Sequence, residues 1–243
     1  NAFQRFMRSE SVPHAWRNLL RTLFVFPGYV WVHEVHVLIR REKIHEKGLC
    51  VRVLGNVSYL PVEVQKVIAD VVLQTQHNTR CYLNICISYT SREEMCNAIQ
   101  ELAAGVQEGL LSPDDVTEKS LSHALYSRNS KDPDLVIRTS GEIRLSDFLL
   151  WQSSHSVLEF VSVLWPEFSI WHLLAAVLWY QRQESLLEQL RQEKPKETSH
   201  EESADVNQEA IQQFVENVEA RWQKKLHAMR LGQTTQKLVM NCV

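Results

Sequence analysis

A chain of 243 residues, 44% apolar and 23% charged, has the material for one sizeable α/β domain and the composition of neither a disordered nor a fibrous protein. Its formal net charge of −3 comes without a long basic block, which argues against a nucleic-acid partner. Five cysteines, Cys50, Cys81, Cys86, Cys96 and Cys242, form no CxxC pair and are odd in number, so reduced thiols are expected in place of a disulfide framework or a zinc knuckle.

The first residue is Asn1 and not Met, so the natural N-terminus is expected to be absent, and no charged and apolar run with a cleavage site marks a signal peptide. LFVFPGYVWV at 23–32 is apolar but interrupted by Pro27 and Gly28, and a spanning helix needs about twenty residues. The segment is therefore expected to be buried or to lie at a membrane surface. His33, Glu34 and His36 read HEVH, one residue short of the spacing that puts two imidazoles on one helical face, and no metal site is expected there.

LCVRVLG at 49–55 is apolar, β-branched and closed by glycine, which predicts a strand and a turn. From Pro61 to Gln76 the apolar residues Val64, Val67, Ile68, Val71 and Val72 recur at helical spacing, with Pro61 in the first turn. CYLNICISY at 81–89 is a second strand, and the segment from Ser91 is a helix with Ser91 as N-cap and Gly109 past its end. SPDD at 112–115 opens a further helical segment with acidic residues in its first turn, as the helix dipole prefers.

DLVI at 134–137 is the third strand, and FLLW at 148–151 opens a helix or a tight apolar turn. VLEFVSVLW at 157–165 is the fourth strand, stopped by Pro166. A helix from Phe168 to about Arg191 begins buried and ends solvated. Repeated βα units with apolar strands predict a mainly parallel sheet with helices on both faces. A polar linker at 194–208 leads to a last helix with Ile211, Phe214, Val215, Val218, Trp222, Leu226 and Met229 on one face, docked on its own domain or paired with a partner helix.

Between the third strand and FLLW lies RTSGEIRLS, at the carboxyl end of a parallel strand, where α/β sheets place ligands. Arg138 and Arg144 each carry a planar fork of donors that matches phosphate oxygens, and across the Gly141 turn they can converge on one anion. Ser146 can add its hydroxyl and nearby N–H groups at the start of an apolar helix. The same residues also admit a plain reading: Arg138 paired with Asp134 or Glu142, Arg144 with Asp147, and Ser146 as an N-cap. TSGE is not the GxSxG nucleophile elbow, and no GxGxxG follows any strand, so serine hydrolysis and dinucleotide binding fit less well.

DLVIRTSGEIRLSDFLLWQSSHS with VLWPEF at 163–168, KGLCVRVLGN at 47–56 and CYLNICISYTSREEMCNAI at 81–99 resemble blocks of the cis-prenyltransferase (undecaprenyl diphosphate synthase-like) family, nearest its eukaryotic dehydrodolichyl diphosphate synthase branch. The resemblance runs from about Lys43 to Gln181. It implies a transferase that condenses isopentenyl diphosphate with a farnesyl-type allylic diphosphate for dolichol synthesis, with Mg²⁺ as cofactor. Arg138, Arg144 and Ser146 match the family residues that hold the isopentenyl diphosphate, with Glu142 and Gly141 in support. It further implies a Nogo-B receptor-like partner subunit and peripheral attachment at the cytosolic face of the endoplasmic reticulum.

The family's magnesium-binding aspartate lies in an HxAxIMDGNRR block that nothing in this chain matches, and bacterial members carry a glutamate where Val157 stands here. FQR at 3–5 resembles a later family segment and makes Arg5 a candidate for the allylic diphosphate. The expected organisation is therefore a divergent segment at 1–42, the C-terminal portion of the family's α/β domain at 43–193, the linker at 194–208 and an amphipathic helix at 209–230. An alternative function follows from the missing aspartate: a truncated, inactive form that keeps the isopentenyl diphosphate loop and the partner surface.

Overall fold

The computed structural model describes residues 23–25, 44, 46–192 and 207–233. Arg5, the HEVH stretch at 33–36, Cys242 and all but the end of the 194–208 linker lie outside the described residues. In chain order the elements are β1 (Leu23–Val25), β2 (Leu49–Leu54), α1 (Val62–Thr75), β3 (Cys81–Cys86), α2 (Ser91–Gln107), α3 (Glu118–Ala124), β4 (Leu135–Arg138), β5 (Val157–Phe160), α4 (Ile170–Gln192) and α5 (Gln208–Arg230). Every pairing between described strands is parallel, in the orders β1-β3-β2 and β4-β5. The described residues form two compact units, one from 23–130 and 207–233, the other from 131–192.

In the first unit β2 and β3 align from Leu49 opposite Cys81 to Leu54 opposite Cys86. Gly55 then takes φ +120°, and a Cβ there would lie 2.2 Å from the Ile87 carbonyl oxygen, so only glycine lets the chain turn this close. On the outer edge of β2 the Val51 N–H donates to Thr75 Oγ1 at 3.0 Å, and the Thr75 hydroxyl donates to the Val71 carbonyl at 2.8 Å. An edge N–H is thereby satisfied by a helix.

The helix α1 is apolar on two sides. Val71 meets Val51 and Ile85 of the sheet, while Ile68, Ala69, Val72 and Leu73 meet Leu226 and Met229 of α5. Each of these Val, Ile, Leu and Met side chains contributes about 1.5–3 kcal/mol when fully buried. The C-terminal stripe thus docks on its own chain: Ile211, Phe214, Val218, Leu226 and Met229 are buried, and Val215 and Trp222 partly so. Phe214 is seated where the side chain of residue 105 would project, since a Cβ on Gly105 would lie 2.8 Å from its ring.

Two sequence expectations shift here. The N-cap of α2 is Thr90, whose hydroxyl accepts from the Glu93 N–H at 3.3 Å, and Ser91 is a fully buried residue of the first turn. SPDD closes a 3-10 turn over Pro113–Asp115 before α3 begins separately after Thr117. The cause is Asp115, whose carboxylate accepts from the Ser112 N–H at 2.8 Å and from the Asn207 N–H at 3.1 Å. Those backbone donors, Ser112 first, hold its carboxyl below the usual range against a smaller opposing effect of burial.

In the second unit β4 and β5 align from Leu135 opposite Val157 to Arg138 opposite Phe160. β5 stops at Phe160, short of the expected Trp165, and Pro166 instead sits in a 3-10 turn over Trp165–Glu167. Nor is the start of α4 buried: Ala176 and Val177 are, but Trp171 is 75% exposed, and Leu178, Trp179 and Leu186 are exposed as well. The first half of α4, IWHLLAAVLWY, is apolar nearly all round, so packing one side of it on β4 and β5 leaves other apolar side chains exposed.

Candidate functional site

The polar loop leaves β4 at Arg138 and is pinned by the chain beyond β5. The Val161 N–H donates to the Arg138 carbonyl at 2.9 Å, the Ser140 N–H to the Val163 carbonyl at 2.9 Å and the Gly141 N–H to the Val161 carbonyl at 3.0 Å. Ser140 and Gly141 both lie in the left-handed region, at φ 72° and 70°, which reverses the chain within two residues.

Past that turn, Arg138, Glu142, Arg144 and Ser146 come together. Arg138 donates through one terminal nitrogen to Ser146 Oγ at 3.0 Å and to the Arg144 carbonyl, and its other terminal nitrogen lies 4.0 Å from Glu142 Oε2. Arg144 Nε reaches the same Glu142 oxygen at 2.9 Å. One guanidinium thus binds this oxyanion and a second stands 4.0 Å from it, so the two arginines flank a single anionic position. The Arg138 side chain is 27% exposed and that of Arg144 is 73% exposed, so the cradle has one firm wall and one open wall.

No helix follows Ser146, which corrects the expectation of a helix N-terminus at this serine. Ser146, Asp147 and Leu149 have φ 50°, 60° and 45°, and 148–151 is a tight apolar turn. Left-handed residues cannot continue a right-handed helix, and each costs about 1–3 kcal/mol, so the conformation persists only where its surroundings dictate it. Here they do: Leu149 is 2% exposed, and the Ser153 N–H donates to its carbonyl at 2.9 Å. A buried leucine anchors a strained loop and thereby sets where the Ser146 hydroxyl stands.

A second polar cluster, not anticipated from the sequence, lies beyond the carboxyl ends of β2 and β3. Glu93 Oε1 accepts from Asn56 Nδ2 at 2.8 Å and from the Tyr126 hydroxyl at 3.1 Å, while Glu94 accepts from the Tyr89 hydroxyl at 2.5 Å and the Ser127 N–H at 3.1 Å. Burial raises the Glu93 carboxyl, and burial followed by the charge of Glu94 pushes the Cys86 thiol up to about 12. The signal was present as two adjacent glutamates in a helix's first turn, where an exposed, dipole-favoured position is the ordinary outcome.

Among the described residues no group of His, Cys, Asp and Glu side chains is arranged to hold a metal ion, and the Glu142 carboxylate is already taken by two guanidinium groups. The cradle is a donor set for an anion and does not fit Mg²⁺. No helix among the described residues is long and apolar enough to cross a membrane.

Parallel strands with covering helices make this an α/β fold, and a polar loop leaves the carboxyl end of β4, where such folds commonly place ligands. The chain belongs to the prenyltransferase family whose model, described as putative undecaprenyl diphosphate synthase, matches residues 29–187. The human dehydrodolichyl diphosphate synthase complex subunit DHDDS is 43% identical over 190 residues, 78% of this chain and 54% of that protein. The mouse subunit of the same name is 50% identical over 151 residues, 62% of this chain and 45% of that protein. The chain thus spans about half the length of these curated relatives. Among solved structures, lavandulyl diphosphate synthase from Lavandula x intermedia in complex with dimethylallyl diphosphate superposes with a TM-score of 0.57 at 30% identity, over 61% of this chain and 66% of that one.

Proposed function

We propose that Arg138, Arg144 and Ser146 hold the diphosphate of isopentenyl diphosphate, and that the chain is the part of a cis-prenyltransferase that presents this substrate to an allylic, farnesyl-type diphosphate. The observation that carries the reading is the pair of arginines flanking a single anionic position at the carboxyl end of β4. In the reaction the isopentenyl double bond attacks C1 of the allylic diphosphate, the new C–C bond displaces diphosphate, and a proton is lost from the former isopentenyl unit. The diphosphate in the cradle is not the leaving group. Donors around it act on ground and transition states alike, so they hold and orient, and their loss registers first in KM.

The product of this reading is long-chain polyprenyl (dehydrodolichyl) diphosphate, which feeds dolichol synthesis and protein glycosylation. The chain's likeness to DHDDS subunits supports that product, and their description as subunits of a complex supports a partner subunit, which in this proposal is Nogo-B receptor-like. Work at the cytosolic face of the endoplasmic reticulum, attached peripherally or through that partner, belongs to the same proposal. Mg²⁺, if used, supplies charge neutralisation on the allylic diphosphate and draws its ligands from outside the cradle.

The donor set favours a second reading. Ionising an allylic diphosphate needs cationic stabilisation of the leaving group, and the two arginines described here serve the other substrate. A polypeptide with this cradle alone binds isopentenyl diphosphate without turning it over. Incorporation of labelled isopentenyl diphosphate by the chain purified with its partner, with farnesyl diphosphate and Mg²⁺, separates the two. Polyprenyl product that disappears with Arg138→Ala supports the transferase. Bound isopentenyl diphosphate with no product supports the binding form, and no binding by the unmutated chain overturns both.

A further inference from the structure

We infer that the Glu142 carboxylate occupies the anion cradle of the ligand-free protein as an internal counter-anion, which an incoming diphosphate displaces; this rests on the cradle reading above and concerns how that site is regulated. Glu142 Oε2 sits between the two arginines, 2.9 Å from Arg144 Nε and 4.0 Å from the second terminal nitrogen of Arg138. It stands in for a phosphate oxygen. The two arginines depend on it unequally. Arg138 is also fixed by neutral acceptors, Ser146 Oγ at 3.0 Å and the Arg144 carbonyl, and keeps its place when the carboxylate leaves. Arg144, with its side chain 73% exposed, is turned inward by the carboxylate.

Exchange of one anion for another is easy at this position. Glu142 follows the Gly141 turn, whose N–H groups at 140 and 141 are tied to the Val163 and Val161 carbonyls, so its side chain can swing out while the backbone stays anchored. An ion pair between side chains 46% and 73% exposed is weakened by water and salt, whereas a diphosphate offers several oxygens and more charge to the same two forks. The released carboxylate still stands beside a polyanion and repels it. Glu142 therefore sets a threshold: it keeps the two arginines together and lowers the affinity for any diphosphate.

This differs in sign from a positioning role. A glutamate that only orients Arg144 makes binding tighter, and its removal weakens binding; a counter-anion competes, and its removal strengthens binding. The test is calorimetric titration of inorganic diphosphate into the full chain as wild type, Glu142→Gln, Glu142→Ala and Arg138→Ala, with circular dichroism to establish that each is folded. The inference expects Glu142→Gln to bind about tenfold tighter, the size of one like charge removed at close range under partial screening, with an advantage that shrinks as salt is added. Glu142→Ala, which also removes the acceptor, is expected to change in the same direction. Binding by a Glu142 variant where the wild type shows none also supports it. Weaker or unchanged binding in both variants overturns the counter-anion while leaving the cradle intact. Diphosphate binding untouched by Arg138→Ala, or absent from wild type and variants alike, overturns the cradle and the counter-anion with it.

Discussion

In the unit built on β1, β2 and β3, α1 is clamped between the sheet and α5, and side chains such as Ile68, Phe214 and Leu226 are almost wholly buried. In the unit built on β4 and β5, buried apolar residues are few, Trp171, Leu178 and Trp179 face outward, and the loop between the strands holds Ser140, Ser146, Asp147 and Leu149 at positive φ. The first unit buries most of the apolar surface of α1 and α5 in packing between its own elements. The second keeps backbone strain and charge in a loop anchored by a few hydrogen bonds and one buried leucine. Substitutions in the first are expected to read out in stability, and those in the second in ligand affinity.

Phe214→Ala puts that contrast to its hardest test. Its ring is fully buried beside Gly105, and its loss is expected to cost about 3–5 kcal/mol of stability in chemical denaturation, with diphosphate affinity unchanged in whatever fraction stays folded. Arg138→Ala should do the reverse. It should weaken inorganic diphosphate binding by about a hundredfold, the loss of a bidentate charge-assisted contact, while moving the denaturation midpoint by no more than about 1 kcal/mol. A large stability loss in Arg138→Ala would make the arginine a structural member and undo the division.

A smaller effect sharpens the picture of the first unit. Burial, opposed by the Asn56 and Tyr126 hydrogen bonds, lifts the Glu93 carboxyl above its ordinary 4.5. A carboxyl raised by folding contributes stability below its unfolded value, and that contribution is lost as pH rises through the folded value. Glu93→Gln keeps the acceptor for both donors and removes the titration. The stability of the variant relative to wild type should therefore increase between about pH 4 and about pH 8, by denaturant midpoints at each pH. A difference that stays flat with pH would mean Glu93 is no more buried, in effect, than a surface carboxylate. The smallest change is expected from Arg230→Ala, which breaks a 2.9 Å contact to Asp70 between half-exposed side chains and should cost under about 1 kcal/mol.

Strand and helix positions in the first unit were legible because their causes are local. LCVRVL and CYLNIC are β-branched or apolar between turn residues, and the α1 spacing puts Ile68, Val71 and Val72 on faces that any partner would bury. Where the reading slipped, a neighbour competed. Thr90 took the cap from Ser91, and Asp115 closed a turn with Ser112 and Asn207, residues that a helix-start pattern does not weigh. At the candidate site, Arg138, Glu142, Arg144 and Ser146 were identifiable as chemistry-bearing types. The signal against a helix after Ser146 was weak: Asp147 tolerates the left-handed region, but Leu149 does not, and its φ of 45° follows from its burial.

The sequence by itself determined the alternation of strand and helix, the parallel pairing that such alternation demands, and a polar loop at the end of β4, because periodicity and residue type act over a few neighbouring positions. Only the tertiary structure decided that α5 closes over α1, that Glu142 lies between two guanidinium groups, and that Glu93 and Glu94 are drawn into hydrogen bonds with Tyr126 and Tyr89. Those outcomes depend on which buried side chain holds a loop and which distant donor reaches a carboxylate, and such contacts are settled by packing across the chain and not by local propensity.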